Sequence, residues 1–165
     1  FVFGRVIMSN KGTNHTYDAT AMMCLDGRYL EAFYHFWQKL GFKEIDEIKI
    51  AGGAKNLVAA KKEAHKATTW DQLATSLALH GTIKGYPIFL SVHRDCGAYN
   101  FQDTEEKQTA HLMQAAQKVK TKYPDKTVRM LIVNQPRDEK FTFTELIPIN
   151  SNGLTKTILF EYERP

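Results

Sequence analysis

Two cysteines and one histidine, all side chains that bind transition metals, lie in two short segments of this sequence. His93 and Cys96 are three residues apart in "VHRDCGAY", directly after an apolar run. Cys24, the only other cysteine, lies near the end of another apolar run, "ATAMMCL". Zinc binds thiolate sulfur and imidazole nitrogen, and three such ligands leave one of its four tetrahedral positions for water. The sequence therefore predicts an open, catalytic type of zinc site formed by Cys24, His93 and Cys96.

A carboxylate and a guanidinium follow the first of these ligands in "CLDGR". Asp26 is placed to accept a hydrogen bond from the water on the metal, and a bidentate pair with Arg28 would hold that carboxylate in place. We also consider a regulatory role, in which Arg28 releases Asp26 and the carboxylate takes the fourth position on the metal. The segment therefore adds Asp26 and Arg28 to the candidate catalytic residues.

The elements that must position these side chains are predicted from hydrophobic patterning. Short apolar runs of strand length alternate with segments of helical length along the 165 residues. This alternation predicts an α/β fold with a mainly parallel central sheet flanked by helices, and "KFTFTEL" alternates in the manner of an antiparallel edge strand. With 43% hydrophobic residues, the chain is predicted to form a single domain over residues 1–165. The first segment, "FVFGRVI", reads as an arm or a strand.

The predicted strands place the metal ligands at one edge of the sheet. Cys24 lies at the carboxyl end of the predicted strand Ala19 to Leu25, and His93 is the last residue of the predicted strand "YPIFLSVH". Ligands in open α/β sheets bind beyond the carboxyl ends of the strands, where the strand order reverses. If these two strands are neighbours, the three ligands converge on one small volume.

Four helices are predicted between and after these strands. The first helix, "RYLEAFYHFWQKL", is ended by Gly41. Two helical segments follow "IDEIKIAGG", and Thr69 is the predicted N-cap of the second. The fourth is a long helix that Thr104 caps and that ends before Pro124. The first of these helices carries aromatic residues around more than one face. This pattern suits either a buried core helix or, as we slightly favour, a helix whose second face contacts a partner subunit.

Composition excludes several classes of function. The net charge is +4 and the pI is about 9.0. The lysines are spread along the chain between acidic residues, and this distribution is typical of a solvated surface and not of a nucleic-acid interface. No apolar run approaches the roughly 20 residues that span a bilayer, and we expect no signal peptide at the N-terminus. Two cysteines make no disulfide framework and fit a reducing, cytoplasmic compartment.

The sequence resembles the β-carbonic anhydrase family in three motifs that occur in the family's order. Cys24, Asp26 and Arg28 match its Cys-x-Asp-x-Arg, "IAGGAKNLV" matches its Ala-Gly-rich turn, and "HRDCG" matches its His-x-x-Cys-Gly. The resemblance covers residues 19 to 99. Two features depart from it: Lys49 and Ile50 stand where relatives carry Arg-Asn, and the Cys24 to His93 separation (93 − 24 = 69) is long for the family.

The resemblance implies the function, the cofactor and the partners. It implies zinc, reversible hydration of CO2 to bicarbonate with zinc-bound hydroxide as the nucleophile, and Asp26 and Arg28 as the residues that orient it. It also implies a substrate pocket bordered by Gly52, Gly53 and Gly97, and a homodimer or higher homo-oligomer with no nucleic acid or membrane partner.

Several alternatives remain open from the residues alone. The same site would suit a hydrolase of a CO2 analogue, CS2 or COS, or a non-catalytic zinc-binding domain that serves in assembly or sensing. A Cys-His thiol hydrolase is a weaker third hypothesis. Cys24 and Cys96 taken singly would fit small buried hydrophobes or an oxidised disulfide pair. The remaining histidines show no ligand spacing, although His15 lies on a polar loop from which a proton shuttle would be able to act.

Overall fold

Among the residues that the computed structural model describes, six strands form one sheet and four α-helices flank it. The structure describes residues 16–100, 104–135, 140–149 and 153–164, so the predictions for "FVFGRVI" and His15 lie outside the described residues. The strands are β1 (Ala19–Met23), β2 (Ile45–Lys49), β3 (Pro87–His93), β4 (Thr127–Asn134), β5 (Lys140–Ile149) and β6 (Gly153–Glu163). The helices are α1 (Leu30–Lys39), α2 (Asn56–Ala59), α3 (Glu63–Leu79) and α4 (Glu105–Lys122).

The strand order confirms the α/β prediction. The sheet runs β2-β1-β3-β4-β5-β6; the strands from β2 to β4 pair in parallel, and the pairs β4–β5 and β5–β6 are antiparallel. The chain leaves β1 in one direction to form β2 and later returns to form β3 on the other side. The strand order therefore reverses between β1 and β3, which is the place where open α/β sheets bind ligands.

The sheet separates two apolar cores because successive side chains of a strand point to opposite faces. On one face, α1 packs against residues that include Met23 and Phe89. On the other, α2, α3 and α4 pack against residues that include Met22 and Leu90. Since the central strands are covered on both sides, they are apolar at nearly every position, which is why they are readable from the sequence.

Helix α1 is buried by the chain itself. Phe33, Phe36 and Trp37 are at most 5% exposed, and the ring of Phe36 stacks on Phe143 of β5 with centroids 4.4 Å apart. Of the aromatic residues in this segment, only Tyr34 is largely exposed. The buried-core interpretation therefore holds for Phe33, Phe36 and Trp37, which pack against the sheet. A partner contact stays a prediction for the exposed face that carries Leu30 and Tyr34.

One predicted helix start is also wrong. Thr69 lies inside the continuous helix α3 and is fully buried, and its hydroxyl donates to the carbonyl oxygen of His65 at 2.7 Å. The buried face of α3 comprises Thr69, Leu73, Ser76 and Leu77, which is one helical stripe. Inside a helix a threonine hydroxyl can donate to a carbonyl oxygen of the preceding turn, and at a helix start it can accept from a backbone N–H. The residue type alone therefore did not locate the start of the helix.

The helix boundaries predicted at Gly41, Thr104 and Pro124 are confirmed, whereas the segment "AKNLVAAKKEAHKA" is divided between α2 and the start of α3. Gly41 follows α1 with a φ of +80°, a conformation that favours glycine. The Thr104 hydroxyl accepts a hydrogen bond from the backbone N–H of Lys107 at 3.2 Å and so caps α4. In the part of the chain that the structure describes, no helix combines the length and the apolar character that crossing a bilayer requires.

Asp18 joins the entry of β1 to the entry of β2 and gives a pH-dependent prediction. Its carboxylate accepts hydrogen bonds from the backbone N–H of Lys43 at 2.7 Å and of Glu44 at 3.1 Å, which lower the pKa of Asp18 below its ordinary value of 3.8. We expect Asp18→Ala to reduce the free energy of unfolding at neutral pH by about 1 kcal/mol, a figure discounted for solvent exposure.

The sign of the pH dependence follows from the lowered pKa. The stabilisation is fully present above the unfolded-state pKa and is lost as the pH falls through the lower folded-state value. Urea unfolding of the wild type and of Asp18→Ala should therefore differ at neutral pH and converge in acid. A difference that stays constant or grows on acidification would contradict this role of the carboxylate.

Candidate metal centre

Neighbouring strands bring the two ligand segments together. β1 and β3 are paired in parallel with Met22 opposite Leu90, so Cys24, just past the end of β1, lies beside the end of β3 at His93. Cys96 follows three residues later and is 2% exposed, while His93 is 3% exposed. The side chains therefore meet at the carboxyl edge of the sheet, where the strand order reverses.

The three ligand atoms have the spacing of a metal site. The Sγ atoms of Cys24 and Cys96 are 3.9 Å apart, and they and a ring nitrogen of His93 all lie within 4.8 Å of one another. Two thiolates at about 2.3 Å from a tetrahedral zinc would be about 3.8 Å apart. Both cysteines are free thiols, so the alternative of a disulfide between them does not apply to this structure.

The imidazole of His93 is oriented for ligation. Its Nδ1 lies 2.7 Å from the carbonyl oxygen of Arg94. Since a carbonyl oxygen only accepts, Nδ1 carries the hydrogen, and in the neutral ring Nε2 has the free lone pair. Nε2 is buried and makes no hydrogen bond of standard geometry to a described residue, but it faces Cys24, which raises the pKa of His93 against the lowering effect of burial. A metal ion between the two thiols would take the place of this proton and satisfy Nε2.

The surroundings of Cys24 favour its ionised form. The hydrogen bond with Cys96 lowers the pKa of the Cys24 thiol to about 4 against the opposing effect of burial. The backbone N–H of Gly52 also donates to Cys24 Sγ at 3.3 Å. Thiolates, not thiols, are the metal-binding form of cysteine, so the site is prepared to hold a cation.

Two glycines bring the backbone up to this site. Gly52 has a φ of +88°, and this conformation directs its N–H to Cys24. Gly53 has a φ of +56°, and a Cβ atom there would lie 2.3 Å from the carbonyl oxygen of Ser91. Asn56 holds the loop by donating its side-chain amide to the carbonyl oxygens of Ala51 and Gly53. The glycines thus support the ligand strands, which is a role additional to the predicted pocket.

Asp26 and Arg28 form a tight ion pair beside the ligands. Arg28 Nη2 is 2.7 Å from Asp26 Oδ2, and Nε is 3.1 Å from both carboxylate oxygens. These hydrogen bonds hold the pKa of Asp26 below its ordinary value. Asp26 Oδ2 lies 3.8 Å from His93 Nε2, so the carboxylate borders the atom that would bind the metal.

The family model described as "Putative carbonic anhydrase" matches residues 14–145 of the chain. The match includes both ligand segments and most of the sheet. The chain belongs to this family. No curated protein matches the sequence.

In this carbonic anhydrase family member, the donor set fits zinc, the metal that carbonic anhydrases use. Two thiolates and one imidazole are a zinc ligand set, and the ligand atoms of Cys24, His93 and Cys96 all lie within 4.8 Å of one another. Cys24, His93 and Cys96 are thus the residues that would hold the ion.

Several supporting residues of this family member were not predicted from the sequence. Ser91 Oγ donates to the Met22 carbonyl oxygen at 3.0 Å and ties β3 to β1. Gln108, which is fully buried, donates its side-chain amide to the His93 carbonyl oxygen at 2.7 Å. Gln108 shares the buried face of α4 with three apolar residues, Leu112, Ala115 and Val119. A polar residue on such a face was the signal that could have identified it.

The remaining predicted positions border the centre less closely. Gly97 is exposed and begins a 3-10 helical turn, Gly97–Tyr99, directly after Cys96. Lys49, where the chain departs from the β-carbonic anhydrase pattern, forms an ion pair with Glu47 at 2.7 Å. Its neighbour Ile50 donates its backbone N–H to the Met23 carbonyl oxygen at 3.0 Å. The departure at these two positions therefore leaves the contact between β1 and the Gly52 loop in place.

Proposed function

We propose that this chain is a zinc-dependent carbonate dehydratase that catalyses the reversible hydration of CO2 to bicarbonate. The observation that carries the proposal is the position of the Asp26 carboxylate, held by Arg28 at 3.8 Å from the free Nε2 of His93. A purely structural zinc site would have no use for an oriented carboxylate beside its ligands. The family match supports the same reaction class.

The metal would be held by Cys24, His93 and Cys96. When bound, zinc supplies Lewis acidity that lowers the pKa of water and so provides a nucleophile near neutral pH. The protein contributes a nearly dry site, since His93 and Cys96 are at most 3% exposed. Burial strengthens the electrostatic interactions of the site because the local dielectric constant is lower than that of water.

Asp26 and Arg28 act on the reacting water and not on the metal ligands. An ionised Asp26 accepts a hydrogen bond from the water and thereby turns an oxygen lone pair toward the carbon of CO2. Arg28 holds both carboxylate oxygens, and its backbone N–H also donates to Asp26 Oδ1 at 3.1 Å. These four hydrogen bonds from Arg28 fix the orientation of the carboxylate and disfavour its protonation.

Stopped-flow CO2 hydration by the zinc-loaded protein tests this proposal. We expect the wild type to be active with one zinc per chain, and we expect Asp26→Asn to keep its zinc but to lose about 100-fold in rate, the loss typical of a removed proton-handling group. Asp71→Asn is the matched control, because it makes the same change of charge on the exposed surface of α3.

The possible outcomes separate the candidate functions. Zinc binding without hydration would reject CO2 as the substrate, and the same assay with COS and CS2 would then distinguish an analogue hydrolase from a non-catalytic zinc domain. Full activity in Asp26→Asn would reject the role given to the carboxylate. Failure of the wild type to bind zinc would reject the metal centre itself.

The proposal extends to organisation and location. We propose a single domain over residues 1–165 that works as a homodimer or higher homo-oligomer, as β-carbonic anhydrases do, with a small-molecule substrate and no nucleic acid partner. We also propose a cytoplasmic location, which is supported by two free thiols 3.9 Å apart that a reducing compartment would preserve. Gly52, Gly53 and Gly97 would border the substrate.

A further inference from the structure

Tyr29 links the two ligand segments through a single carbonyl group. Its hydroxyl donates to the carbonyl oxygen of Arg94 at 3.2 Å, and the same oxygen accepts the Nδ1 hydrogen of His93 at 2.7 Å. We propose that Tyr29 is a positioning residue that keeps His93 in the tautomer and orientation that metal binding requires. This inference rests on the metal centre proposed above.

The hydrogen bonds define what Tyr29 does to this carbonyl. An amide oxygen has two lone pairs, and here one is used by Tyr29 and the other by His93. Arg94 is also anchored through its preceding peptide group, because the Arg94 N–H donates to the Val133 carbonyl oxygen at 2.9 Å. The acceptor that selects the Nδ1–H tautomer is therefore held by Tyr29, on a residue that is itself tied to β4.

The ring of Tyr29 restrains the imidazole itself. Its centroid lies 4.4 Å from that of the His93 ring, with the planes tilted by 40°. On its other side, Phe141 packs edge-on against it at 5.6 Å. Tyr29 is 3% exposed, so neither ring has room to rotate away. Burial raises the pKa of Tyr29 to about 12, and the hydroxyl therefore stays a donor at physiological pH.

The placement of Tyr29 follows from the segment that carries the catalytic pair. Asp26 caps the 3-10 helical turn Gly27–Tyr29 by accepting from the Arg28 N–H, and this turn directs Tyr29 inward while Arg28 remains half exposed. One short turn thus supplies Asp26 and Arg28 to the solvent side of the site and Tyr29 to its buried side. The hydrogen bond to the Arg94 carbonyl oxygen keeps the hydrogen on Nδ1, while Nε2 faces Cys24 and the Asp26 carboxylate, which lies 3.8 Å away.

Tyr29→Phe tests the inference, because it keeps the ring and removes only the hydroxyl. Tyr86→Phe is the matched control: Tyr86 is 1% exposed and its hydroxyl accepts from Thr20 Oγ1, away from the ligands. The measurements are zinc affinity, by competition with a chromophoric chelator, and the ring 15N chemical shifts of His93 in the metal-free protein. The shifts are followed to alkaline pH, because they report the tautomer only of the neutral ring and Cys24 raises the pKa of His93 against the lowering effect of burial.

We expect Tyr29→Phe to weaken zinc binding by about tenfold, the lower end for lost outer-shell hydrogen bonds, and to show a mixture of His93 tautomers. Tyr86→Phe should leave both readouts unchanged. Wild-type affinity and a single Nδ1–H tautomer in Tyr29→Phe would overturn the inference, as would an equal loss in both variants. If the wild type bound no zinc, the metal centre would fail, while the 15N shifts would still decide whether Tyr29 selects the tautomer.

Discussion

Cys96→Ser is expected to lose tight zinc binding and, with it, all measurable CO2 hydration. The substitution removes one of only three protein ligands, and the remaining Cys24 and His93 are too few to hold the ion. Loss of an outer-shell partner already weakens metal affinity by roughly 10- to 100-fold, and loss of a ligand should exceed that range. Zinc per chain after dialysis, followed by stopped-flow hydration, measures both consequences.

The Cys96→Ser result separates a metal ligand from a buried hydrophobe. Cys96 is 2% exposed, so a purely packing role would change stability and leave zinc binding intact. Cys24→Ser provides an independent replicate, because the two Sγ atoms are 3.9 Å apart and should serve the same ion. Retention of one zinc per chain in either variant would be incompatible with the proposed site. Thermal unfolding of the metal-free proteins controls for a general loss of structure.

Gly53→Ala is expected to reduce the free energy of unfolding by about 3 kcal/mol or more, through combined backbone strain and steric overlap. Gly53 has a φ of +56°, and an added Cβ would lie 2.3 Å from the Ser91 carbonyl oxygen and 3.2 Å from the Cys24 nitrogen. Both contacts are with backbone of the ligand strands, which cannot move aside as a flexible side chain would. We therefore also expect weaker zinc binding, measured on the folded fraction.

Gly41→Ala is the matched control for backbone strain. Gly41 has a φ of +80°, but apart from its chain neighbours no described residue has an atom within 4 Å of the position of its Cβ. The substitution should cost only about 1 kcal/mol, from the left-handed conformation alone. Urea unfolding of both metal-free variants gives the comparison. Equal losses would mean that Gly53 is required for its conformation and not for the close approach between its loop and β3.

Much of the fold and the ligand set was predictable because the relevant signals are local. β1, β3 and β4 are buried on both faces and so appear as continuous apolar runs. The metal-binding residue types follow two of these runs directly. Because the carboxyl ends of adjacent parallel strands meet at one edge, only the adjacency of β1 and β3 had to be assumed, and the strand order supplies it.

Other features depended on contacts between distant parts of the chain. Thr69 was misread as a cap because its hydroxyl has the same chemistry inside a helix as at its start. The aromatic residues of α1 suited either a core or a partner contact, because the packing of Phe36 on Phe143 of β5 cannot be read from the helix. In both cases the residue type was informative, and the packing partner decided its role.

The sequence by itself determined the strands, the types of the candidate ligands and the pairing of Asp26 with Arg28, since each follows from neighbouring residues. Only the tertiary structure decided how those ligands are held. Tyr29 reaches Arg94 from 65 positions away, and Gln108 reaches His93 from another helix. These hydrogen bonds form because buried donors must find acceptors in the folded chain, and that requirement leaves no periodic pattern in the sequence.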